Sequence, residues 1–491
     1  MIEAWAYPAG PRMTEARPPA APPLRLKARL ALAAYGLAWL LAVPLVLGYL
    51  LARARRQPAY RAHWAERWAL RWPAAPAGWA GARPVWIHAV SVGETRAAQP
   101  LIEALLAADP TLRILLTHMT PTGLATGHEL FAARWPDRVH QCYLPYDLGW
   151  AAGRFLARWR PRLGVLMETE LWPALCARAT RAGVPLVIAS ARLSERSLAR
   201  GLRWRELTSP ALAGLAAVLA QTPADADRLR RLGRAAVEVT GNLKFDIVPS
   251  ADGVALGRGW RAALGERPIV LCASTRDGEE ALLLGAWREA MSTSRSPSAP
   301  DSGAAATAPR PRLLIVPRHP QRFDEVARTI AQADCMLARR SAPGWPQAAA
   351  QADVLLGDSM GEMAAYVAMA DAAIIGGSLL PFGGQNLIEP CALGVPVVVG
   401  PSTENFAQVA DEAIAAGAAL RVTDARQAVA AALALLSDPA RRAAMGQAGT
   451  AFAQAHRGAT QRTMAALRRW LRSQPSSEGC DGPRLAGHDR L

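Results

Sequence analysis

Cysteine is scarce and scattered. The six in 491 residues are Cys142, Cys176, Cys272, Cys335, Cys391 and Cys480, with no CxxC pair and no regular spacing. That pattern excludes a disulfide framework and a cysteine-built zinc site, and it fits a reducing compartment. Acidic residues are also in deficit, 40 against 56 Lys plus Arg, for a formal charge of +16. Such an excess suits nucleic acid, an anionic membrane surface or a phosphorylated substrate. No familiar nucleic-acid motif is present, which removes the first. The dominance of Ala, Leu, Arg and Pro partly reflects GC-rich coding and is not itself chemistry. The N-terminus lacks a basic-then-apolar signal layout.

What is present begins with residues 1–29, a Pro- and Ala-rich stretch expected to form a disordered tail. Residues 30–52 are uncharged and apolar, long enough for a membrane helix, with Gly36, Pro44 and Gly48 tolerable there. A buried or monotopic helix is the competing reading. Arg25, Lys27 and Arg29 precede the run, and Arg53, Arg55, Arg56, Arg61, Arg67 and Arg71 follow it. This basic flank favours a membrane surface.

From Val85 onward, short apolar segments alternate with helical ones, the pattern of parallel α/β units. Val85–Ala89, Ile114–Thr117, Leu163–Met167, Leu186–Ser190 and Val218–Ala220 read as one sheet. Ile269–Ala273, Leu313–Val316, Val354–Leu356, Ala372–Ile375 and Val395–Val399 read as a second. The fold class is therefore α/β, two doubly wound domains over 53–245 and 246–472 with a ligand cleft between them. A hinge is expected near Asn242–Gly259. Residues 292–310 read as a disordered insertion, and 473–491 as a disordered tail.

Chemistry-bearing residues cluster after the predicted strands. In HAVSVGE, Glu94 follows a strand and a glycine, where a partly desolvated carboxylate can act as general base. A helix-start glutamate serving only the dipole is the alternative. In METELW, Glu168 and Glu170 would share a side if the strand continued, as a metal-binding pair or as a purely organic site. Lys244 in TGNLKFD could neutralise a leaving phosphate, or be an exposed hinge lysine.

The loop GGSLLPFGGQNLIEP enters a helix near Asn386, offering backbone amides to an anion and Glu389 to ribose hydroxyls. An ordinary turn is the alternative. Arg318, after Pro317, could grip a phosphate with its fork. Gly361, Glu362 and Met363 open a further helix that a simple cap explains equally well.

Together the blocks WIHAVSVGET, THMTPTG, YLPYD, METELWP, VPLVIASARLS, TGNLKFD, VPRHPQRF, GDSMGEM and GGQNLIEP resemble the Kdo (3-deoxy-D-manno-octulosonic acid) transferases of lipopolysaccharide assembly, from about Tyr60 to about Gly449. The resemblance implies a GT-B fold and an inverting, metal-independent transferase without cofactor. Its N-terminal domain would take a lipid A precursor, and its C-terminal domain CMP-Kdo. It implies Glu94 as general base, with Glu168 and Lys244 stabilising the transition state. CMP contacts carry over to Pro317, Arg318, Gly361, Glu362, Met363, Asn386, Leu387, Ile388 and Glu389. Gln385 and Arg276 stand where the family often has His.

The implied partners are the donor, the lipid acceptor and membrane lipids, with no nucleic acid. The implied location is the cytoplasmic face of the inner membrane. Domain closure would bring base and donor together. A sugar-nucleotide epimerase shares the fold but has no use for an apolar anchor. A non-catalytic lipid-binding scaffold would keep the basic surface without transferring sugar.

Overall fold

The computed structural model describes residues 25–293 and 309–471. Nearly all of the expected terminal tails and of the 292–310 insertion, and Cys480 as well, lie outside the described residues. The chain divides into two compact units. The first runs to Ile247 and resumes at Gly458; the second is Val248–Arg457.

The first unit is built on seven parallel strands: β1 (Val85–His88), β2 (Ile114–His118), β3 (Val139–Tyr143), β4 (Leu163–Met167), β5 (Leu186–Ala191), β6 (Ala217–Ala220) and β7 (Glu238–Val239), in the order β3-β2-β1-β4-β5-β6-β7. The central strands are buried along their whole length, as a parallel sheet covered on both faces requires. Alternation sorts the side chains into two cores. Trp86, Leu166 and Ile188 face one, while Val85, Ile87, Val165 and Met167 face the other. Trp86 fills its core only because Gly164 opposes it on β4; a Cβ there would lie 2.8 Å from the indole and 2.4 Å from Leu186.

The second unit repeats the plan with β8 (Ile269–Thr275), β9 (Arg312–Pro317), β10 (Leu337–Arg339), β11 (Val354–Leu356), β12 (Ala372–Ile375), β13 (Val397–Val399) and β14 (Ala419–Arg421), ordered β10-β11-β9-β8-β12-β13-β14. In each sheet the strand order reverses beside the first strand, between β1 and β4 and between β8 and β12. The carboxyl ends at these two points are where an open α/β sheet leaves a crevice.

Three features differ from the sequence expectation. The apolar helix extends over Leu26–Arg56 rather than 30–52, because the flanking Arg, Lys and Ala are good helix formers and nothing breaks the run. The helix Ala459–Leu471, expected in the second domain, packs on the first unit. Ala459 and Leu467 enter the core behind β1, and Asp246 caps the helix by accepting from the N–H groups of Gly458 and Thr460 at 2.7 and 2.5 Å. Within the span 242–259, expected as a hinge, the chain forms a 3-10 turn at Leu243–Asp246 and a helix from Ala251, and the boundary between the two units falls after Ile247.

Candidate active site

Glu94 sits in the first turn of the helix Val92–Ala108, immediately beyond β1. Its carboxylate accepts from the Val90 N–H at 2.8 Å and from the Ser91 hydroxyl at 3.2 Å. The helix-cap geometry expected of the alternative reading is thus real. Yet burial first, and then the charges of Glu170 and Glu168, push its pKa up to about 8, and the two hydrogen bonds offset only part of that. A carboxyl group that titrates near neutrality can take a proton from a hydroxyl, which a purely structural cap does not need.

Glu168 follows β4, the neighbour of β1. It adopts φ +55, a left-handed conformation costly for a residue with a Cβ. Two cations hold it there: Lys244 Nζ at 2.7 Å and Arg192 Nε at 2.9 Å. Burial would raise its pKa, but the charges of Lys244 and Arg192 overcome that and hold the carboxyl below its ordinary value. β4 ends at Met167, so the alternation argument for a shared Glu168–Glu170 face does not apply. Glu170 instead accepts from the Trp172 indole at 2.6 Å, and Trp172 stands edge-on to His88 with ring centroids 5.4 Å apart. Among the described residues no group of three or more His, Cys, Asp or Glu side chains is placed to hold a metal ion.

In the second unit the glycine-rich loop follows β12, beside β8. Gly377, Gly383 and Gly384 all have positive φ, which glycine adopts without strain. The loop is organised by Glu279, fully buried at the start of the helix after β8. One carboxylate oxygen accepts from the N–H groups of Arg276 and Gly377 at 2.9 and 2.6 Å; the other accepts from Leu379 and Leu380 at 3.0 and 3.4 Å. Asn386 is exposed and accepts from the Ile388 N–H at 3.1 Å, whereas Leu387 and Ile388 bury their side chains. Any ligand contact at those two residues is therefore through backbone. The helix begins at Ile388, two residues later than the motif suggested, with Glu389 in its first turn.

Arg318 leaves the end of β9, and its N–H donates to Thr275 at 3.0 Å, which ties it to the end of β8. Next to it, burial and then the charges of Arg276, Arg318 and Arg322 push the pKa of His319 down to about 4. Three arginines thus stand around His319 at the end of β9, a placement that suits an anion. Gly361 is exposed with φ +81. Glu362 is paired bidentately with Arg340 at 2.9 and 3.1 Å, and Met363 opens the helix that follows.

Residues 62–247 match the family described as 3-Deoxy-D-manno-octulosonic-acid transferase (kdotransferase), and residues 347–452 match Glycosyl transferases group 1. A 3-deoxy-D-manno-octulosonic acid transferase of Bordetella pertussis is 49% identical over 87% of this chain and 96% of its own length. The chain belongs to the Kdo transferase family. A second such transferase, from Haemophilus influenzae, is 34% identical over 88% of this chain and 97% of its own. Among solved structures, UDP-GlcNAc 2-epimerase from Neisseria meningitidis bound to UDP-GlcNAc covers 80% of the chain at TM-score 0.51 and 14% identity. That likeness concerns the fold alone.

For a Kdo transferase, the structure gathers Glu94, Glu168 and Lys244 into the first unit. Pro317, Arg318, Gly361, Glu362, Met363 and Asn386 to Glu389 all belong to the second. Sequence reasoning missed Arg192 and Glu279, both of which follow strands. Arg192 stands beyond a bulge in β5, where the register shifts and Ser190 takes φ +52. Arg276 and Gln385, where the resemblance departs from His, both lie beside Gly377. A cavity of about 350 Å³ in the first unit, lined by His63, Glu66, His128, His140 and Cys142 among others, contains none of these residues.

Proposed function

We propose that this Kdo transferase moves Kdo from CMP-Kdo to a hydroxyl of a lipid A precursor, with inversion at the anomeric carbon. The observation that carries the reading is the Glu94 carboxyl, at the reversal point of the first sheet, with a pKa raised into the working range of a base. The acceptor oxygen attacks the anomeric carbon as its proton passes to Glu94. The bond from that carbon to the CMP phosphate oxygen breaks, and CMP leaves with the electron pair.

Near Glu94, the Glu168 carboxylate holds two cations, Lys244 and Arg192, at fixed positions. Two fixed cations suit the anionic groups of the donor. Their preorganisation means that little rearrangement is needed as charge develops. The Gly376–Glu389 loop, Arg318 and the Gly361–Met363 turn would hold CMP. The enzyme would work at the cytoplasmic face of the inner membrane, where its nucleotide-sugar donor is available.

The test is transfer from CMP-Kdo to a tetra-acylated lipid A precursor, with products read by mass, with and without EDTA. Addition of Kdo in both conditions is expected, and Glu94→Gln should lower it about 10²–10⁴-fold while leaving CMP affinity within about twofold. Full transfer by Glu94→Gln would end the base assignment. Loss of transfer in EDTA would end the metal-independent mechanism.

A further inference from the structure

The helix Leu26–Arg56 is apolar and long enough, by length and composition, to cross a membrane. Its side chains, however, are not equivalent around the axis. Tyr35, Trp39, Val46, Leu50 and Ala54 fall at helical spacing on one face, and all of them meet the first unit. The Tyr35 hydroxyl donates to Asp147 at 3.0 Å, and Trp39 packs on Tyr146 with ring centroids 5.6 Å apart. Val46, Leu50 and Ala54 join the cluster around Tyr60 and Tyr146.

Asp147 is itself buried. It also accepts from the N–H groups of Ala174 and Leu175, at the start of the helix that follows the Glu168–Trp172 loop. Tyr35 thus closes a hydrogen-bond set belonging to the protein interior. From Tyr35 to Ala54 the axis covers about 28 Å, against a hydrocarbon thickness of roughly 30 Å. Almost the whole apolar length is therefore flanked by the folded unit. Crossing a bilayer would require the helix to detach, opening the Tyr35–Asp147 bond and uncovering Tyr146 and Leu50.

The opposite face is the one left bare, with Leu37, Leu41 and Leu45 at 59, 71 and 76% exposure. The helix Arg205–Ala213 packs against the apolar helix. Just before it stand exposed Leu202 and Trp204, between Arg200, Arg203 and Arg205. Between positions 25 and 61 the chain carries seven Lys or Arg and no Asp or Glu. A bare apolar face on a helix whose two ends carry only basic charges matches an anionic bilayer surface in charge and polarity.

We propose that this helix is an in-plane membrane element. It stays docked lengthwise on the first unit and inserts its Leu37–Leu45 face into one leaflet of an anionic bilayer, without spanning it. The proposal is independent of which sugar is transferred, so its failure and that of the transfer reaction are read separately.

The test labels the full-length chain in sealed membranes with a membrane-impermeant maleimide, using single substitutions Arg25→Cys, before the helix, and Asp227→Cys, on the exposed surface of the same unit. The unsubstituted chain supplies the background. Both positions are expected to react in inverted vesicles and neither in intact spheroplasts. Reaction of Arg25→Cys only in spheroplasts, with Asp227→Cys reacting only in inverted vesicles, would establish a span and overturn the proposal. Purified protein should also float at least fivefold better with vesicles containing anionic phospholipid than with neutral ones. Equal flotation would overturn the anionic part of the assignment.

Discussion

Glu94 carries the clearest pH signature. Its folded pKa, about 8, lies above the ordinary 4.5, so the folded state binds the proton more tightly than the unfolded chain. The sign follows: Glu94 favours folding fully below about pH 4.5, and that contribution is lost as pH rises through about 8. A base must be ionised, so kcat/KM should climb tenfold per pH unit up to about pH 8 and then level. In Glu94→Gln the residual rate should fall about 10²–10⁴-fold and lose that slope. A flat profile in the parent enzyme between pH 6 and 8 would show that another group takes the proton.

Lys244 is one of two lysines among 56 basic residues. In a chain where arginine fills nearly every basic position, a retained ammonium was a signal open to sequence reading. Its compact charge meets Glu168 at 2.7 Å, a geometry the broad guanidinium fork does not reproduce. Lys244→Met should lower kcat about 100-fold with KM for CMP-Kdo nearly unchanged, and Lys244→Arg should recover only part of it. Equal activity of the Met variant and the parent would reduce the pair to a structural role. Glu94 and Glu168 were legible as carboxylates after strands. Arg192 was not, because its meeting with Glu168 depends on β5 lying beside β4, which only the strand order of the folded sheet decides.

At the level of single elements, the central strands were readable because they are short apolar runs buried on both faces. β3, β7, β10 and β14 were not. VHQCY has the polar pair His140 and Gln141 at its centre, and the other three are two or three residues long at a sheet edge. The glycine-rich loop was found from its composition, but what shapes it was not.

Glu279 contacts residues about a hundred positions away, and its four accepted hydrogen bonds need both oxygens. Glu279→Gln replaces one acceptor with a donor that faces backbone N–H groups. The second unit should lose about 3 kcal/mol, read by denaturant unfolding, and CMP should bind at least tenfold more weakly by calorimetry. Unchanged CMP affinity would mean that the loop holds its shape by other means.

Across the whole molecule, the return of the chain to the first unit is the least local feature. Leu467 is fully buried in the core behind β1, more than 200 residues from Ile247, where the chain leaves that unit. Leu467→Asp should therefore destabilise the first unit by about 3 kcal/mol or more while sparing CMP binding by the second. Loss of CMP binding at permissive temperature, with the first unit unaffected, would contradict this division.

The two sheets, the apolar helix and the family resemblance were legible in the order of residues, since burial pattern and contiguous motifs are local properties. The pairing of Glu168 with Arg192 and Lys244, the clamp of Glu279 on the glycine-rich loop and the docking of Tyr35 on Asp147 were decided only by the fold. Each joins residues far apart in sequence, and a raised or lowered pKa depends on which charges the folded chain brings within a few ångströms.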